Sequence, residues 1–130
     1  MEFIRARSYG MQDTTSGNVE ISGMDLTKVR DRHVLLVEDV VDTGTTMSQV
    51  IPVLNAAGCI SLQVCTLLDK RILPQRRRLK RVQYTGFSIP DHFVVGHGLD
   101  FAELYRECLD LWVLSQLGKD LKGRIPLLPL

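Results

Sequence analysis

Val34-Leu35-Leu36-Val37-Glu38-Asp39-Val40-Val41-Asp42-Thr43-Gly44-Thr45-Thr46 is the stretch on which the fold turns. Its four consecutive apolar residues, Val34 to Val37, read as a strand over residues 33–37 covered on both faces, as in a parallel sheet. The strand ends abruptly at Glu38-Asp39. After a glycine-containing turn, Met47, Val50, Ile51 and Leu54 fall at helical spacing, and Gly58 is a stop signal. Pro52 sits inside this helix, where its missing N–H leaves the Ser48 carbonyl unpaired at about 3 kcal/mol in a regular interior, so a kink is expected. Residues 61–68 read as the next buried strand, ending at Asp69-Lys70, which completes a right-handed strand, helix, strand unit. The expected fold class is therefore α/β, a parallel-sheet core with helices on both faces.

Outward from this unit the signals are shorter. Residues 2–7 suit a strand, residues 8–17 are a polar, glycine-containing loop that can move, and residues 18–22 alternate Val19 and Ile21 with polar residues as a returning strand. Together they make a hairpin. Residues 73–81 form a basic loop, residues 84–89 and 93–95 are short strands divided by Pro90, and Gly96 and Gly98 interrupt the chain after them. A helical turn or two is expected over residues 101–108 and a last strand over residues 111–114. There is no internal repeat. The domain expected is residues 1–116, with residues 117–130 as a tail without periodicity.

The chain has 130 residues, 45% hydrophobic and 24% charged, which gives one domain with enough apolar material for a core. Sixteen basic and fifteen acidic residues leave a net charge of +1, so no general attraction to nucleic acid or to an anionic membrane is predicted. Cys59, Cys65 and Cys108 are odd in number and unpaired in spacing. Buried thiols in a reducing compartment, the cytoplasm, fit them better than disulfides or zinc. No apolar run approaches a membrane span, and the first residues lack a signal peptide's apolar stretch.

The motif also carries the chemistry. Unpaired N–H groups at a helix start, with the positive end of its dipole, cradle a phosphate; Gly44 permits close approach, and Thr43, Thr45 and Thr46 add hydroxyl donors. Glu38 and Asp39 would repel a phosphate beside them but suit sugar hydroxyls or a hydrated magnesium ion, so a sugar phosphate fits best. Taken singly, these residues are equally read as solvated loop acids, a helix cap and first-turn threonines. The whole string in register at a strand's carboxyl end reads as a site. His33, His92 and His97 lack metal-ligand spacing, and Arg76, Arg77 and Arg78 with Lys80 and Arg81 read as a solvated loop, not an RNA surface.

Residues 37–46 resemble the phosphoribosyl pyrophosphate signature of type I phosphoribosyltransferases. Glu2-Phe3-Ile4-Arg5 with Ser8-Tyr9, Leu67-Leu68-Asp69-Lys70-Arg71, Gly86-Phe87-Ser88-Ile89-Pro90-Asp91, and Phe93 to Asp100 with Tyr105-Arg106 are similar to the hypoxanthine-guanine branch, over residues 2 to about 114. The resemblance implies a purine salvage enzyme that joins hypoxanthine or guanine (xanthine being a further candidate) to phosphoribosyl pyrophosphate, giving IMP or GMP and pyrophosphate.

By the same resemblance Asp42 is the proton acceptor near the purine N7, Thr43, Gly44, Thr45 and Thr46 hold the 5-phosphate, and Glu38 and Asp39 face the ribose. Lys70 donates to the purine 6-oxygen, which disfavours adenine. Phe93, Val94, Leu99 and Asp100 surround the base, Arg106 meets the pyrophosphate, and Ser8 and Tyr9 belong to a hairpin lid that excludes water. Mg2+ is the implied cofactor, with Asp100, Glu38 and Asp39 as its candidate ligands, and a homo-dimer or homo-tetramer is the implied assembly. Family members also carry an N-terminal strand and a short pyrophosphate-binding loop without counterpart here, so the sheet is expected to lack one or more strands and to expose an apolar edge. Two other readings stay open: a truncated, non-catalytic nucleotide-binding or regulatory relative, and a piece completed by a separate chain.

Overall fold

The computed structural model describes residues 1–7, 20–23, 25–115, 120 and 128–129, and the lid candidates Ser8 and Tyr9 lie outside them. Two compact units divide the chain, Met1–Ser88 and Ile89–Leu130.

In the first unit, β1 (Arg5–Arg7) pairs antiparallel with β2 (Glu20–Ser22), joining Arg5 to Ser22 and Arg7 to Glu20, which is the expected hairpin. The motif's apolar run becomes β3 (His33–Val41), four residues longer at its carboxyl end than the apolar pattern predicts, because Glu38 to Val41 stay in the ladder. It lies parallel to β4 (Ser61–Arg71), from His33 opposite Ser61 to Val41 opposite Asp69. The helix between them, α1 (Thr45–Ala56), runs through Pro52 and ends before the expected stop, Gly58. A third strand, β5 (Tyr84–Pro90), joins the sheet in the order β3-β4-β5, with β3 at an edge among the described residues. This is the α/β, parallel-sheet core that the sequence implied.

Strand alternation sends Leu36 and Val64 to the face carrying Met47, Val50 and Leu54 of α1, and this is the core. Burial of each such side chain contributes about 1.5–3 kcal/mol. Cover on both faces is not observed: Leu35 is 53% and Val37 66% exposed. The residues of β3 that face away from α1 meet no covering element among the described residues, so a continuous apolar run here is not a strand buried on two sides. One α-helix is present among the described residues.

In the second unit, β6 (Val94–Val95), β7 (Trp112–Val113) and β8 (Leu128–Pro129) form an antiparallel sheet with Val95 and Leu114 buried. The helical turns expected over residues 101–108 are replaced by tight turns, the first closed by a Phe101–Leu104 bridge that follows a Gly96–Leu99 one. Ala102, Glu103 and Tyr105 have positive φ, which a right-handed helix forbids. Gly96 is required, since a Cβ there would collide with the Asp110 carbonyl oxygen. All three cysteines are free thiols and half-buried, less enclosed than expected. No helix among the described residues is long and apolar enough to cross a membrane.

Candidate active site

The ends of β3 and β4 meet where the sequence concentrates its chemistry. Lys70, next to last in β4, points its side chain to the α1 side and is only 8% exposed. A buried ammonium needs a partner, and Asp42 Oδ2 supplies one at 2.9 Å. The other carboxylate oxygen, Asp42 Oδ1, is shielded and accepts no hydrogen bond, although the side chain as a whole is 46% exposed. An unpaired carboxylate oxygen beside a paired ammonium offers one acceptor and one donor side by side.

The turn to α1 comes next. Gly44 is the helix N-cap with φ +77° and has no side chain of its own to cap the first turn. Its conformation suits glycine, and a Cβ would collide with that of Leu79. Thr43 and Thr45 hydroxyls lie 2.8 Å apart, and Ser48 Oγ donates to the Thr45 carbonyl. The Thr45 N–H is taken by Thr43 Oγ1 at 3.4 Å, and the Thr46 and Met47 amides of this 12-residue helix are the ones left for an anion.

Glu38 and Asp39 alternate across the strand: Glu38 is half-buried on the α1 side, whereas Asp39 is exposed and its Oδ1 accepts from the Val40 N–H. Burial, and then the neighbouring Asp39 charge, push the Glu38 carboxyl up to about 7. No three His, Cys, Asp or Glu groups converge on one point among the described residues. Three converging groups are not what Mg2+ requires, since it is commonly held by one or two carboxylates together with substrate phosphates.

The remaining sequence candidates fall in the second unit. Phe93 packs edge-on against Phe101, with centroids 5.6 Å apart, and Val94 is buried in β6. Asp100 accepts from Arg106 at 2.8 Å and from the Glu103 N–H, while Arg106 also donates to the Gly98 carbonyl and Leu99 closes the Gly96 turn.

Arg77, read from sequence as part of a solvated basic loop, is 20% exposed and bonded on several sides. Nothing in a run of three arginines distinguishes the middle one, so no sequence signal marks it. A cleft of about 520 Å3 opens beside Lys70, lined by Arg71, Ile72, Arg77, Lys80 and Ser88 among others.

Residues 1–102 match the family described as a phosphoribosyl transferase domain. Hypoxanthine phosphoribosyltransferase of Haemophilus influenzae is 44% identical over 120 residues, covering 92% of this chain and 62% of that protein. Hypoxanthine-guanine phosphoribosyltransferase of Bacillus subtilis is 38% identical, covering 88% and 63%. A solved structure of hypoxanthine phosphoribosyl transferase from Trypanosoma cruzi superposes with a TM-score of 0.80 at 36% identity, over 96% of this chain and 63% of that one. The chain thus spans about three fifths of the length of these relatives.

Proposed function

Because the chain belongs to the phosphoribosyl transferase domain family, we propose that it serves purine salvage, joining hypoxanthine or guanine to the sugar of phosphoribosyl pyrophosphate to give IMP or GMP and pyrophosphate. Xanthine, giving XMP, is a further candidate base. The observation that carries this reading is the Lys70–Asp42 pair with its unpaired Asp42 Oδ1. A 6-oxopurine presents an acceptor, O6, beside a donor, N7–H, on one edge, and the pair offers the complementary donor and acceptor. Adenine presents an amino donor in place of O6 and meets the Lys70 ammonium badly.

As a purine nitrogen bonds to C1 of the sugar and pyrophosphate departs, the N7 proton passes to Asp42. The α1 N-terminus with Thr43, Gly44, Thr45 and Thr46 anchors the 5-phosphate, which fixes the sugar for attack. Glu38 and Asp39 accept from ribose hydroxyls. For the second unit we keep the roles that the resemblance implies: Phe93, Val94 and Leu99 toward the base, Asp100 toward Mg2+, and Arg106 toward pyrophosphate. Mg2+, for which Asp100 in the second unit and Glu38 and Asp39 in the first are each candidate ligands, would supply charge neutralisation on the leaving group. The cytoplasm and a homo-dimer or homo-tetramer complete the reading.

Calorimetric titration with guanosine 5-monophosphate and Mg2+ tests it. Saturable binding that Lys70→Ala weakens by roughly ten- to a hundredfold, the range for a hydrogen bond to a charged group, is the expected result. Asp42→Asn is expected to retain binding and abolish turnover. Absence of binding by the folded chain overturns the reading, and binding without turnover favours a non-catalytic nucleotide-binding protein.

A further inference from the structure

The last ladder pair of β3 and β4 is Val41 with Asp69. Beyond it β4 runs on to Arg71 while β3 has ended, so Asp42 and Lys70, the two residues proposed to meet the base, have no ladder pair to hold them together. Arg77 fills this gap. Its Nη1 donates to the Asp42 carbonyl at 3.1 Å and to the Lys70 carbonyl at 3.3 Å, its Nη2 to Asp69 Oδ1 at 2.6 Å, and its Nε to the Leu79 carbonyl at 3.2 Å. The loop backbone adds to this, because the Arg78 and Leu79 N–H groups both donate to the Thr43 carbonyl. Leu79 is buried against Gly44.

We propose that Arg77 is a positioning residue: its guanidinium clamps the ends of β3 and β4 so that Asp42, Lys70 and the phosphate-binding turn keep one geometry. The assignment rests on the base-contacting reading of Asp42 and Lys70, whereas the clamp itself is a property of the unliganded chain. A planar fork with five donors serves three carbonyls and a carboxylate at once, which a lysine, with a single ammonium, does not reproduce. The neighbouring Arg78 is exposed, and the bond it makes to Thr43 comes from its backbone.

The test is made on isotope-labelled chain by nuclear magnetic resonance, comparing the wild type with Arg77→Ala, Arg77→Lys and Arg78→Ala. In both Arg77 variants, amide exchange at Leu79 and Ser48, whose N–H groups donate to the Thr43 and Gly44 carbonyls, is expected to rise by about tenfold or more relative to Val64 in the core, as local opening becomes easier. The Lys70 ammonium signal, sharpened by its pairing to Asp42, is expected to broaden. Arg78→Ala is expected to change neither, and guanosine 5-monophosphate is expected to bind each Arg77 variant more weakly. Unchanged exchange and an unchanged Lys70 signal in Arg77→Lys would overturn the proposal, as would an equal response in Arg78→Ala. Should Arg77→Ala fail to fold, Arg77→Lys decides. If the wild type binds no nucleotide, the proposed function fails while the exchange comparison still decides the clamp.

Discussion

At the scale of single residues, the motif's acids divide by environment and not by type. Asp42 shares its site with a buried ammonium, whereas Glu38 has lost water and pairs with no cation among the described residues, and its carboxyl is raised to about 7. That direction sets the sign of the linkage. The folded chain keeps the Glu38 proton to higher pH than the unfolded chain, so this group's contribution to stability is full below the ordinary value of 4.5 and is lost as pH rises to about 7. Glu38→Gln is therefore expected to flatten that part of the pH dependence and to be relatively more stable at pH above this window, read as the difference in urea midpoints between variant and wild type across the range. The residue type and place of Asp42, Lys70 and Glu38 were legible in the sequence. Their pairing was not, because Asp42 and Lys70 are 28 positions apart and only strand register brings them together.

At the scale of elements, β3, the turn and α1 work as one device, and Gly44 is its joint. Its φ of +77° and the Leu79 side chain against it both oppose a larger residue. Gly44→Ala is expected to destabilise the chain by about 1–3 kcal/mol, the range for a strained backbone position, and to weaken nucleotide binding; chemical denaturation and calorimetry read the two effects. The strand, loop and helix order was predicted from apolar spacing because that periodicity records which face packs. The helical turn or two expected over residues 101–108 did not form: the chain there turns through three positive-φ residues, and hydrogen bonds from residues 96–98 to Leu99, Arg106 and Cys108 fix the turns.

At the scale of the whole molecule, the sheet has one face packed by α1 and another that leaves apolar side chains open. Leu54 is fully buried, and Leu54→Ala is expected to cost about 2–5 kcal/mol in chemical denaturation. Val37 is 66% exposed, and Val37→Lys on the open face is expected to change stability by less than about 0.5 kcal/mol. It is also expected to raise the protein concentration at which light scattering first appears, since exposed apolar patches promote association. The sequence by itself determined the α/β class, the strand, turn and helix order, and a phosphate-binding turn with acids before it, because hydrophobic period, glycine and hydroxyl content act locally. Only the tertiary structure decided that Asp42 faces Lys70, that Leu35 and Val37 are open, and that Arg77 joins two strand ends. Those outcomes depend on which distant segments become neighbours in parallel register, and a local pattern carries no record of its partner.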